Sequence, residues 1–159
     1  MRKLLITLLI PVIISCSTDD PVCCTNIDTG ISIQYFDLQG QDLLESGVYS
    51  ESNIEIYHKI DGEWVRYYEG NLDSPKGISV VEHEAGYYLT LFPSSTLDSE
   101  NVSETKIEFS ETDFDIVKAE IDRSNGNEVV TKVWYNDQLR WEAYDTERKF
   151  TVIKEDLSN

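Results

Sequence analysis

The chain has 159 residues, of which 30 are acidic and 13 basic, for a formal charge of −17. Such a balance disfavours nucleic acid and anionic membrane surfaces as partners, because both present phosphate. It favours solubility, divalent ions or a cationic partner.

The first residues form an export signal. Arg2 and Lys3 make a short basic region, and residues 4–14 are apolar except for Thr7 and Pro11. That run is shorter than the roughly 20 residues a membrane-spanning helix needs, and it ends on a small residue, Ser15, as a cleaved secretory signal does. The residues Ile13-Ile14-Ser15-Cys16 resemble a bacterial lipobox. The resemblance implies that Cys16 carries a diacylglyceryl group and that the chain is cut before it. Ser17-Thr18-Asp19-Asp20 resembles the surface-export signal of Bacteroidota lipoproteins, which implies an outer-membrane anchor displayed at the cell surface. More than one acyl chain on Cys16 would make that anchor stable.

Cleavage of residues 1–15 from the 159 leaves 144, enough for one domain with a genuine core, and moves the charge from −17 to −19 by removing Arg2 and Lys3. Cys23 and Cys24 are adjacent, which strains any disulfide between them. Without nearby histidines they do not form a zinc site, and they read as part of the tether, with a vicinal or intermolecular disulfide as the alternative. Residues 16–30 lack apolar periodicity and contain Asp19, Asp20, Pro21, Asn26, Asp28 and Gly30, the composition of a linker. The domain is expected over residues 31–159.

From Ile31 the period is two. Ile31, Ile33 and Tyr35 alternate with Ser32, Gln34 and Phe36, as in a half-buried strand. A polar turn over residues 37–42 leads to Leu43-Leu44, expected to plug one end of the core. Residues 52–60 place Ile54, Ile56 and His58 on one side. Asp61-Gly62 then joins them to residues 63–68 as a hairpin, both turn residues requiring positive φ. Residues 78–82 and 87–92 form a second hairpin around Glu84-Ala85-Gly86. Pro93 stops that strand, and residues 94–103 read as loop, with a short strand over 105–109. Strands over 114–121 and 128–135 flank Ser124-Asn125-Gly126-Asn127. Asn136-Asp137 turns into residues 139–144, and residues 150–154 are the last strand. About nine short strands joined mostly by tight turns predict an all-β fold, an antiparallel β-sandwich with a β-barrel as alternative. The dominance of hairpins leaves little place for parallel pairing.

Residues 31–44 resemble the start of uncharacterised small Bacteroidota lipoproteins, in which a strand leads to a polar glycine turn and an Asp-Leu-Leu element, here Gly40-Gln41-Asp42-Leu43-Leu44. The chain departs from that pattern at Glu45-Ser46-Gly47. The resemblance implies a β-sandwich exposed to the periplasm or the medium, and transfers no catalytic residue.

Catalytic motifs are scarce. His58 and His83 are the only histidines, and G-x-S-x-G is missing. His58, in mid-strand, reads as a packed or edge histidine rather than a catalytic base. Glu82-His83-Glu84 could contact a metal only if neighbours along a strand shared a face, which they do not. Asp113 and Asp115 flank Phe114 on one strand face and read as solvated acids, although paired carboxylates are also what a glycoside hydrolase uses. The turns over residues 122–128 and 37–42 carry oxygen ligands without EF-hand spacing. No metal or cofactor is therefore expected.

The aromatic residues are the stronger binding signal. Trp64, Trp134 and Trp141, with Tyr67, Tyr68, Tyr87, Tyr88, Tyr135 and Tyr144, are many for this length. Exposed, they are platforms for sugar rings or anchors for a protein; buried, they fill the core and make cross-strand pairs. The expected function is a lipid-anchored, non-enzymatic binding or interaction module for a glycan or a protein, held on the membrane through Cys16 and without nucleic acid. The first alternative is an inhibitor or scavenger of a cationic envelope protein such as a lysozyme. The second is a hydrolase built on paired carboxylates.

Overall fold

The computed structural model describes residues 25–144 and 146–155. The segment expected to be an export signal, with Cys16, Cys23 and Cys24, lies outside the described residues. Eleven strands follow in chain order: β1 (Ile27–Asp28), β2 (Ile31–Asp37), β3 (Glu55–Ile60), β4 (Glu63–Arg66), β5 (Ile78–His83), β6 (Gly86–Leu91), β7 (Val102–Glu108), β8 (Phe114–Asp122), β9 (Glu128–Tyr135), β10 (Gln138–Glu142) and β11 (Lys149–Lys154). They form a seven-stranded sheet in the order β1-β9-β8-β7-β3-β4, with β10 also on β9, and a four-stranded sheet in the order β11-β2-β6-β5. The sheets do not close into a barrel. The fold is an all-β sandwich, as the period-two pattern and turn spacing predict.

The tight turns follow from residue chemistry. Asp61-Gly62 and Asn136-Asp137 have positive φ at both positions, the requirement of a type I′ hairpin turn. Asn125 and Gly126 are left-handed in the same way, inside a short 3-10 turn between β8 and β9.

The core is the set of alternate residues that the pattern singles out. Ile31, Ile33 and Tyr35 of β2 are fully buried, as are Ile54 and Ile56 beside them. Leu43 and Leu44 are buried in the same core. The carboxylate of Asp42 accepts the N–H groups of Leu44 and Glu45 and so fixes that turn.

Three features differ from the sequence expectation. Both sheets are mixed: β1 pairs parallel to β9, and β11 pairs parallel to β2 over Lys149–Lys154. Both ladders join segments more than a hundred residues apart, which no turn signal can announce. The sandwich also begins before Ile31, since β1 lies in the stretch that reads as linker. Finally, β7 starts at Val102 rather than Thr105. Its inward positions include Ser103 and Thr105, fully buried polar residues that hide the alternation. Thr105 is satisfied there, its hydroxyl accepting the N–H of Ser94 at 3.0 Å.

Candidate functional site

The outward positions of the seven-stranded sheet converge on one surface. On β9, Val133 and Tyr135 are buried and Trp134 is directed outward. On β8 the inward set is Asp115, Val117, Ala119 and Ile121, leaving Phe114, Ile116, Lys118 and Glu120 outside. β3 puts Tyr57 and Lys59 outside, and β7 puts Glu104, Lys106 and Glu108 there.

Register turns these positions into a transverse row. Trp64 of β4 is opposite Lys59 of β3, and Lys59 Nζ is 2.9 Å from Glu104 of β7. Glu104 is opposite Lys118 of β8, Lys118 opposite Trp134 of β9, and Trp134 opposite Leu139 of β10. Trp64 and Trp134 are thus separated by four strand steps, about 19 Å at the usual strand spacing. Tyr57, Lys106 and Ile116 form a parallel row alongside. Trp64 is 36 % exposed and Phe114 52 % exposed, so rings stand at the surface rather than under it.

The charges of this face are matched locally. Besides Lys59–Glu104, Lys106 pairs with Glu108, Lys118 with Asp137, Arg66 with Glu55, and Lys132 with Glu120 and Glu142. Lys106 also lies 3.9 Å from the Tyr57 ring centre and Lys59 5.6 Å from that of Trp64, within cation–π range. The Asp137 carboxylate holds the Lys118 ammonium above its ordinary value. The surface therefore alternates flat apolar rings with paired donors and acceptors.

Trp141 does not join this surface. The ladder of β9 and β10 shifts register between Leu139 and Trp141, which turns the indole inward. It is 9 % exposed, donates from Nε1 to the Thr146 carbonyl at 2.9 Å, and lies under the Arg148 guanidinium at 4.7 Å. Of the three tryptophans, two are brought to one face and the third packs as core. Trp141 and Arg148 instead wall a separate cleft of about 810 Å³ with His83, Glu84 and Tyr88 on its rim.

The histidines do not assemble a catalytic base. His58 is buried on the inner side of β3, stacked on Tyr67 at 4.3 Å, as a packed histidine. His83 sits at the end of β5 with its ring edge-on to Tyr88. Among the described residues no group of three or more His, Cys, Asp or Glu side chains is placed to hold a metal ion. The carboxylates of the two candidate calcium turns serve the backbone: Asp37 accepts the N–H groups of Gln39 and Gln41, and Asp122 that of Ser124.

Asp113 and Asp115 are the main correction. They are not solvated acids. Asp115 is 4 % exposed, and both carboxylates meet the ammonium of Lys154, at 2.6 Å from Asp113 and 2.8 Å from Asp115. Tyr49 donates to Asp113 at 2.5 Å, Tyr135 donates to Asp115, and the amide of Asn136 donates to Asp115 at 2.8 Å. Burial and the neighbouring carboxylates push the phenols of Tyr49 and Tyr135 far up, so both remain donors. The phase of Asp115 with Val117, Ala119 and Ile121 was the available signal for its burial. Lys154 carried none, because a parallel ladder brings it there.

Compared with protein-family models, curated proteins and solved structures, the chain matches none.

Proposed function

We propose that the protein is a non-enzymatic binding module, anchored by lipid on Cys16 at the outer membrane, whose seven-stranded sheet takes a neutral glycan chain on its outer face. The observation that carries this reading is the row Trp64–Lys59–Glu104–Lys118–Trp134. Sugar rings present flat C–H faces that stack on indoles, and hydroxyls that both donate and accept. A face of rings interleaved with matched ion pairs offers both kinds of contact. Its local charge balance selects no anion, and the −19 charge of the cleaved chain, with Arg2 and Lys3 removed from a total of −17, opposes a polyanionic glycan at longer range. Two platforms about 19 Å apart across the sheet suit a chain of several sugars.

The test is retention on insoluble neutral polysaccharides. Wild-type protein should be retained, and Trp64→Ala or Trp134→Ala should each weaken retention roughly tenfold. No retention of the wild type on any neutral polysaccharide sinks the glycan reading. The anchor has its own test: Cys16→Ser should release a folded protein from the membrane fraction, and a variant still labelled by fatty acid would contradict it.

One observation favours a second reading. Lys59, Arg66, Lys106, Lys118 and Lys132 are gathered on the outer face, which concentrates the acidic excess on the rest of the surface. That remainder suits a cationic envelope protein such as a lysozyme. Binding of this kind should fall steeply with salt, whereas glycan stacking should not. The hydrolase reading has less support, because Asp113 and Asp115 share the single ammonium of Lys154, which stands where two free carboxylates would have to face a substrate.

A further inference from the structure

The cluster around Lys154 is more than an ion pair between sheets. The Lys154 side chain is only 10 % exposed, and its ammonium is shared by two carboxylates on β8 and the turn before it. Aromatic rings enclose it: the Phe109 centre is 4.7 Å away and that of Tyr49 6.0 Å. Tyr35 and Tyr135 complete the wall, their hydroxyls 3.4 Å apart. A charged pair in such a site is costly to keep desolvated, and a fixed amine beside a fixed carboxyl has a large effective concentration.

We propose that Lys154 and Asp113 condense into an intramolecular amide that staples the four-stranded sheet to the seven-stranded one. Lys154 Nζ lies one hydrogen bond from the Asp113 carboxyl that it attacks. Tyr49 donates to the other oxygen of that carboxyl, Oδ2, where negative charge develops as the carbon becomes tetrahedral. Asp115 accepts from Lys154 and relays its protons. Asn136 and Tyr135 donate to Asp115 and keep it an acceptor. The Nζ–Cγ bond forms and the Cγ–Oδ1 bond breaks. Two protons of the ammonium leave with that oxygen as water, so an ammonium and a carboxylate become an amide and water with no oxidant or reductant. The polar cleft lined by Asp113, Asp115, Tyr135, Arg140 and Lys154 gives the water an exit. The staple would do for this domain what a disulfide does elsewhere, since the sequence has no cysteine after Cys24. It does not depend on what the outer face binds.

Tryptic mapping of the full chain, purified and then denatured, tests this. The expected product joins the peptide of residues 107–118 to that of residues 150–159, lighter than their sum by one water, with cleavage after Lys154 lost. Fragmentation should place the bond at Asp113. Asp115→Asn keeps the shape of the site without the proton acceptor and should lower the cross-linked fraction to roughly a tenth or less. Lys154→Met should give the peptides of residues 107–118 and 150–159 unlinked, and Asp113→Ala the unlinked peptide of residues 107–118 with cleavage after Lys154 restored. Separate peptides and normal cleavage after Lys154 in the wild type would overturn the proposal. A bond mapped to Asp115, or an undiminished fraction in Asp115→Asn, would overturn the roles assigned to the two acids.

Discussion

His58 shows how one buried residue can set the acid behaviour of the domain. It occupies an inward position of β3 between the fully buried Ile56 and the polar end of the strand, and its Nε2 has no hydrogen-bond partner among the described residues. Burial pushes the imidazole down to about 4. In the unfolded chain it returns to its ordinary value of 6.5, so below that pH the unfolded state binds a proton that the folded state refuses. Stability should fall by about 1.4 kcal/mol per pH unit from about 6.5 towards about 4, and this contribution should level off below. His58→Phe should flatten the slope between pH 6.5 and 5 with little cost at pH 7, since it removes an unsatisfied nitrogen and keeps the stack on Tyr67. Urea melts of both proteins at pH 7 and pH 5 measure this. Lys154 works in the opposite sense. Lys154→Met removes the staple and leaves Asp113 and Asp115 without their cation, and should cost at least about 3–5 kcal/mol, read from the urea midpoint. Adding Asp113→Asn and Asp115→Asn to that variant should recover part of the loss.

At the level of elements, the weakest joint is β1. It is two residues long and pairs only with the start of β9. Arg148, 9 % exposed, holds it: the guanidinium meets both oxygens of Asp28 at 3.0 and 3.1 Å and donates to the carbonyls of Gly30 and Val130. The Arg148 hydrogen bonds lower the Asp28 carboxyl below its usual value. Arg148→Ala should therefore fray β1 first. Hydrogen exchange at the amide of Glu128, which bonds to the Asn26 carbonyl at 2.8 Å, should speed up roughly tenfold or more, with the β7–β8 ladder unchanged. Equal acceleration in both places would contradict a local clamp. The same joints mark the limit of what sequence reveals. Asp61-Gly62 and Asn136-Asp137 are legible because their chemistry and their geometry are both local. The attachment of β1 to β9 is not, because Asp28 and Arg148 are a hundred and twenty residues apart and neither has a local signature. β7 was half legible: Ile107 declares its inward face, while Ser103 and Thr105 on the same face conceal it.

For the whole molecule, the distribution of charge and aromatic rings separates one face from the rest. Composition announces an acidic chain rich in aromatic residues, and period two announces which of them point the same way within a strand. Neither says which outward residues of different strands align. That depends on register across β4, β3, β7, β8 and β9, and register placed Trp64 and Trp134 in one row and sent Trp141, two positions after Leu139, into the interior. The account thus assigns different consequences to three similar substitutions. Trp141→Ala should destabilise the fold, by about 3–5 kcal/mol as large-to-small core changes do, whereas Trp64→Ala and Trp134→Ala should leave thermal stability nearly unchanged and act on binding. The measurement that tests the central claim most directly is affinity electrophoresis in gels containing a soluble neutral polysaccharide, run at low and high salt. Wild-type protein should be retarded equally at both, and the Trp64→Ala/Trp134→Ala double variant, folded by circular dichroism, should migrate as if no polysaccharide were present. Retardation that survives the double substitution, or that disappears on adding salt, would contradict a glycan-binding face on the seven-stranded sheet.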